Sequence, residues 1–325
     1  MLLIDGRYAG NHGIGRYARE VVPRVAAHFD HHLVSGAAPS HHDLLALGLA
    51  TWLRRASALY SPGFHPGWPS RVPQLLTVHD LIHLAVETER SPARTVFYKR
   101  LVSPVIQRSG LVFTVSEFSR RQIVELLEVD ASSVVVTGNG CSATFLSAAA
   151  AAESADRGYV LCIGNSKAYK NFTLMVRAAR LLPDDVRIVC VGITEADGRA
   201  IGGDRIDRRF SFRVGMSDRE LAGLYAGASV VALPSRMEGF GLPGVEAMAL
   251  GKPVVYCADA LAEVVGPLGI HVRDSDDHEE FASAIQQAAA SGASAAEARK
   301  EVARRHSWSG VASHVVAELR RRGIA

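Results

Sequence analysis

The densest chemistry of the chain lies in residues 232–255, ALPSRMEGFGLPGVEAMALGKPVV. A strand-like apolar run ends at Ser235, and the loop after it carries Glu238, Gly239, Phe240, Gly241 and Leu242. Pro243 suits the first turn of a helix, where its missing N–H costs nothing. Glycines at 239 and 241 let the backbone come close to a ligand. The unpaired N–H groups and positive dipole end of such a helix favour an anion, a diphosphate for example. Glu246 falls just past the first turn of that helix. A strand–glycine–proline–helix junction is common architecture and proves nothing alone. Two carboxylates beside an anion site make chemical sense when both take hydroxyls around it. The segment therefore predicts a phosphate attached to a hydroxyl-rich group.

Other stretches carry chemistry with a structural alternative beside it. In GNHGIGRYARE (10–20) a helix is expected from Tyr17 onward, and Gly13 and Gly15 fit a tight turn near a phosphate, with Arg16 adding charge. A purely structural turn is the alternative. His79 and Asp80 end the strand-like LLTVHD at a sheet edge, where Asp80 can cap the next turn or orient His79. His31, His32, His41 and His42 show no ligand spacing and read as surface. The DSDD run at 274–277 follows a strand-like IHV and precedes the helical pattern EEFASAIQQAAA, so its aspartates are expected to cap a helix, and no metal site is read. Cys162, Cys190 and Cys257 sit in apolar runs, and no C-x-x-C pairs them with one another or with Cys141; buried thiols in a reducing compartment are expected.

These residues need a frame. Strand candidates recur at 2–5, 32–36, 58–61, 75–80, 111–116 and 133–138, with a helix expected over EFSRRQIVELLEV between the last two. An alanine-rich stretch at 147–158 reads as a linker, and strands resume at 159–164, 186–192, 212–215, 229–235 and 253–257. Alternating strands and helices predict an α/β fold with two open parallel sheets and ligands beyond the carboxyl ends of the strands. The expected domains are 1–150 and 151–305, with 306–325 as a helix packing back on the first.

Composition agrees with a globular chain: 325 residues, 48% hydrophobic, 21% charged. A net charge of only +3 gives no reason to expect nucleic-acid binding. Arg94, Lys99, Arg100, Arg108, Arg120 and Arg121 do cluster, as a solvated helix face or as a patch for a membrane surface or anionic acceptor. The opening MLLIDGR lacks the flanks of a signal peptide and no apolar run is long enough to span a membrane, so a cytoplasmic protein is expected, with peripheral membrane contact left open.

The segment 232–255 resembles the nucleotide-sugar signature of family-4 retaining glycosyltransferases of GT-B fold, in which an E-x7-E pattern is followed by a G-x-P-V strand. Glu238, Glu246 and Gly251–Pro253–Val254 match it. The resemblance extends to TVHDLIHL (77–84), VSEFSRRQI (116–123), IGNSKAYKNF (163–172), MSDRELAGLYAGASVVALPS (216–235) and RHSWSGVASHVVAEL (305–319), and so to nearly the whole chain. It implies two facing Rossmann-like domains with a donor cleft between them, and transfer of a hexosyl group from a nucleotide-diphosphate sugar to an acceptor hydroxyl with retention of configuration. No cofactor or metal is implied beyond that donor.

The resemblance also implies roles. Glu246 would take the nucleotide ribose, and Glu238 the hydroxyls of the donor sugar. The backbone of Phe240, Gly241 and Leu242 would lie near sugar and diphosphate, and Lys170 would neutralise the departing diphosphate. Met216 and Ser217 would lie beside the base, His79 near the sugar, and the loop of Gly13, Gly15 and Arg16 near the diphosphate. The sequence departs from the family at Asn165, where many members carry an arginine paired with the lysine. Lys167 either replaces it, without its bidentate fork, or is a solvated loop lysine. HDLIHL is similar to mannosyl- and rhamnosyltransferase-like members, which tilts the donor towards a GDP- or dTDP-sugar over a UDP-sugar. The acceptor is left as a glycan, a glycolipid or a small molecule. A nucleotide-sugar epimerase of similar fold and a non-catalytic nucleotide-sugar-binding homologue are the rival readings.

Overall fold

Short runs such as LLI at 2–4 and YVLCI at 159–163, apolar at every position, have no solvent face to offer and are stable only inside a sheet covered on both sides. The computed structural model places them so, and describes every residue apart from 9, 11–12, 37–42, 149–157, 267–268, 292–294 and 325. The alanine-rich linker expected at 147–158 falls largely outside the described residues, as do His41 and His42. The chain forms two units, Met1–Gly140 with Ser307–Ala325, and Cys141–His306.

In the first unit, β1 (Leu2–Asp5), β2 (His31–Val34), β3 (Ala58–Tyr60), β4 (Gln74–Thr77), β5 (Val112–Thr114) and β6 (Val134–Val136) form one sheet in the order β2-β1-β3-β4-β5-β6. All its neighbours run parallel. Helices Gly13–Ala26 and Trp308–Arg321 pack together over one face through Tyr17, Val21, Val25, Trp308, Val315 and Leu319. The C-terminal helix thereby belongs to the N-terminal unit.

The second unit repeats the scheme with β7 (Tyr159–Ile163), β8 (Arg187–Val191), β9 (Phe210–Arg213), β10 (Ala228–Leu233), β11 (Val254–Tyr256) and β12 (Gly269–His271). The order is β12-β11-β10-β7-β8-β9, again parallel throughout. Its core is built from Cys162, Met175, Ile188, Cys190, Val230 and Phe281, among others. All four cysteines are buried and free, and burial pushes the Cys257 thiol up to about 12. Helix Ala143–Ala148 joins this unit because Phe145 is wholly buried edge-on against Tyr225 at 5.8 Å, so the chain divides at Gly140/Cys141 and not at 150/151.

Candidate functional site

In an open parallel sheet the crevice for ligands opens where neighbouring strands send their chains to opposite sides. In the second unit that point lies between β7 and β10, which pair directly. The loop after β7 carries Asn165, Lys167 and Lys170, and the loop after β10 carries Ser235, Glu238, Phe240 and Gly241. Residues far apart in sequence are thus brought to one sheet edge by the strand order alone.

The two loops meet in an ion pair: Lys170 Nζ donates to Glu238 Oε1 at 2.8 Å, with the side chains 18% and 13% exposed. The pair is neither buried nor free in solvent, so it is strong enough to persist and accessible enough for a ligand to join. An ammonium has three donors, and the Glu238 bond uses one. The Tyr169 ring lies under both lysines, with Lys170 Nζ 5.4 Å and Lys167 Nζ 5.7 Å from its centroid. Asn165 accepts from the backbone N–H of Lys167 at 3.1 Å through its Oδ1, which closes the loop as a local turn. Where a charge could have stood, this chain has a turn-former.

Gly241 lies in the left-handed region at φ 90° and ψ 55°, and the helix Leu242–Ala249 begins immediately after it with Pro243 in its first turn. A Cβ on Gly241 would come within 2.2 Å of Leu261 Cδ2, so space as well as backbone conformation requires glycine. The first-turn N–H groups that such a helix leaves unsatisfied make its start a place for an anion. Glu246, one turn further on, is only 4% exposed and accepts from the Tyr225 hydroxyl at 2.8 Å through Oε2. Tyr225 is the residue sequence reasoning missed; the signal was a tyrosine on the buried side of a helix, whose hydroxyl must find a partner. Ser235, at the carboxyl end of β10, is fully buried and its hydroxyl has no partner among the described residues.

One expectation is revised, and two others gain their local setting. Ser217 is the N-cap of helix Asp218–Gly227, its Oγ accepting from the Glu220 N–H and donating to Glu220 Oε2, so its hydroxyl is engaged in a capping box. Met216 precedes it, half-buried, on the loop after the edge strand β9. In the first unit the helix opens at Gly13 and not at Tyr17. Gly13, Gly15 and Arg16 therefore form its first turn, and a Cβ on Gly15 would meet the Gly10 carbonyl oxygen at 2.4 Å. Close packing, which only glycine permits, draws the helix start back over that loop. The DSDD aspartates do cap and pair. Asp277 accepts from the N–H groups of Glu279 and Glu280, and Asp276 takes Arg236 at 2.6 Å, a hydrogen bond that holds its carboxyl below the ordinary range.

His79, in the first unit, is 8% exposed. Its Nε2 donates to the Pro62 carbonyl at 2.9 Å, and its ring meets Tyr17 edge-on at 4.8 Å. Asp80 accepts from the Ile82 N–H at 3.1 Å, which starts the next helical turn. The same end of this sheet holds what the sequence did not show. Tyr8, after β1, shares a 2.8 Å hydrogen bond with His65, after β3, and Phe64 stacks on His65 at 4.4 Å. Beneath them the wholly buried Asp5 holds Arg7 by two bonds, at 2.8 and 2.9 Å.

Comparison with known proteins bears on both units. Residues 157–291 match the family model described as glycosyl transferases group 1. The O-antigen chain mannosyltransferase B of Escherichia coli is 30% identical over 247 residues, 70% of this chain and 64% of its own. The D-inositol 3-phosphate glycosyltransferase of Mycolicibacterium gilvum is 30% identical over 257 residues, 68% of this chain and 56% of its own. The chain therefore spans somewhat more than half the length of these relatives. The crystal structure of Anabaena HepE in complex with UDP-glucose superposes with a TM-score of 0.70 at 20% identity, covering 98% of each chain. Two parallel Rossmann-like sheets and that likeness make the fold GT-B, and the match to the group 1 glycosyl transferases rests on residues 157–291.

Proposed function

We propose that this chain is a retaining, metal-independent glycosyltransferase that moves a hexosyl group from a nucleotide-diphosphate sugar to an acceptor hydroxyl. The observation that carries the proposal is the Lys170–Glu238 pair at the switch point of the second sheet, beside the start of the helix that bears the buried Glu246. Glu246, pre-oriented by Tyr225, takes the ribose hydroxyls. The start of helix Leu242–Ala249 and the backbone of Phe240 and Gly241 receive the diphosphate. Glu238 accepts from the sugar hydroxyls. Lys170 meets the diphosphate as its charge grows on bond breaking, so it acts more strongly in the transition state than in the ground state. The departing phosphate takes the acceptor proton on the same face, which yields retention without a covalent enzyme intermediate. In the first unit, His79 and Arg16, on the first turn of helix Gly13–Ala26, stay the candidates that the resemblance names.

The donor class is a GDP- or dTDP-sugar in preference to a UDP-sugar. This rests on HDLIHL and on the mannosyltransferase among the relatives. A thermal-shift screen against GDP, dTDP, UDP and ADP tests it, repeated with Glu246→Ala and with a chelator present. A binder of the native state raises Tm by mass action. The expected result is a rise with GDP or dTDP that survives the chelator and disappears in the variant. A rise retained in Glu246→Ala would place the nucleotide elsewhere, and a rise abolished by the chelator would end metal independence.

A further inference from the structure

The helix Asp43–Leu53 is apolar on both sides. Leu47, Gly48 and Thr51 face inward and are buried, which accounts for one stripe. The outward stripe is Leu45, Leu49, Trp52 and Leu53, exposed by 60%, 53%, 72% and 62%. Polar residues belong on a solvent face. The loop bearing Trp68 packs on the same helix. The Trp68 N–H donates to the Leu44 carbonyl at 2.8 Å, and Gly48 lacks a side chain where the Trp68–Pro69 backbone passes. Trp68 is itself 56% exposed. An apolar groove of about 1030 Å³ runs between helix and loop, walled by Leu45, Leu49, Trp52, Pro69, Arg55 and Arg71. A second groove of about 570 Å³ shares Leu44 with this helix and adds Val96, 59% exposed, with Arg94 and Arg100.

We infer that this face of the first unit docks on an anionic lipid bilayer. Exposed leucine and tryptophan on one surface mark an interaction site and not a normal solvent face. What selects the partner is charge: each wall contains arginines, Arg54 adjoins them, and neither wall contains an acidic residue. Leucines entering the acyl boundary, tryptophans at the headgroup level and arginines among anionic headgroups are the chemistry of a helix lying in a membrane interface. A second copy of the chain would bring these arginines against each other. The basic cluster at 94–100 gains a place in this reading, since Arg94 and Arg100 border the apolar surface. The inference stands apart from the proposed reaction, because binding is measured without turnover.

Co-sedimentation of the full chain with phosphatidylcholine vesicles, with and without phosphatidylglycerol, tests it. The expected partition is about tenfold or more in favour of the anionic vesicles, weakened by salt. Leu49→Ser with Trp52→Ser, and separately Arg54→Glu with Arg71→Glu, should each lower it by about tenfold while leaving Tm unchanged, since all four side chains are exposed. Arg205→Glu with Arg208→Glu, in the second unit, should leave it as it was. Absence of binding to anionic vesicles, equal binding to neutral ones, or loss in the second-unit variant would overturn the inference. So would sedimentation equilibrium showing a dimer that Leu49→Ser with Trp52→Ser dissolves, which would assign the face to a second copy.

Discussion

The two sheets place different chemistry at equivalent points. In each, the switch point lies beside the first strand of the unit, between β1 and β3 in one and between β7 and β10 in the other. In the second unit the loops there are joined by Lys170 and Glu238, a charged pair still touched by solvent. In the first they are joined by Tyr8 and His65, 6% and 8% exposed, under a stacked Phe64. Burial pushes the Tyr8 hydroxyl well above its ordinary value, so it is a neutral donor and acceptor. A charged ligand can share or draw apart an accessible ion pair, because Coulomb energy gained with the ligand replaces that lost. A buried pair whose tyrosine keeps its proton has nothing comparable to exchange. The same topology therefore supplies a responsive site in one unit and a rigid platform in the other.

The largest expected effect tests this contrast directly. Lys170→Ala should lower the transfer rate by about 100- to 1000-fold, since it removes charge stabilisation from the leaving group, while the Tm rise with nucleotide is largely kept. Tyr8→Phe should change the rate by less than about tenfold, the scale of one neutral hydrogen bond. Rates measured with the sugar of whichever nucleotide stabilises the protein decide it, and equal losses would break the comparison. Next in size is Gly241→Ala, where left-handed backbone and the Leu261 contact act together. The expected cost is about 2–3 kcal/mol by urea unfolding, with the nucleotide-induced Tm rise lost. Gly15→Ala, whose Cβ would meet a backbone oxygen, should cost a similar amount of stability.

The contrast also explains what the sequence revealed. The strand runs were legible because strands buried on both faces are predominantly apolar, and the expected segments at 2–5, 58–61 and 159–164 coincide with β1, β3 and β7 to within a residue. Their ends were less legible: the run expected at 75–80 ends as β4 at Thr77, with Val78 still bonded to Phe113 and Asp80 already accepting from the Ile82 N–H of the next helix. Glu238, Gly241, Pro243 and Glu246 stood out because one short segment holds them all. Tyr225 did not, since its partner Glu246 lies 21 positions away, and a hydroxyl–carboxylate bond across two helices leaves no local spacing. Tyr8 and His65, 57 positions apart, were hidden for the same reason. The helix start at Gly13 was misplaced because the contact fixing it, Gly15 over the Gly10 carbonyl, is one of backbone packing.

The smallest effect sharpens the comparison through acid. In the second unit, hydrogen bonds hold carboxyls below their ordinary values: Arg209 acts on Asp207, Ser217 on Glu220, Arg236 on Asp276 and Arg304 on Glu301. In the first, Ser132 does so for Asp130. A carboxyl with a lowered folded-state pKa stabilises the fold above its unfolded value, near pH 4, and the contribution is lost as pH falls through the folded value. The sign is therefore loss of stability in acid, and the second unit has more to lose. All five groups are largely solvent-exposed, so each contributes little. Hydrogen exchange at pH 6 and at pH 3.5 should show protection falling further in β8–β10 than in β1–β4. Asp276→Asn, which removes the charge that Arg236 holds, should narrow that gap, whereas an equal fall in both sheets would show that general charge repulsion, and not these bonds, governs the acid response.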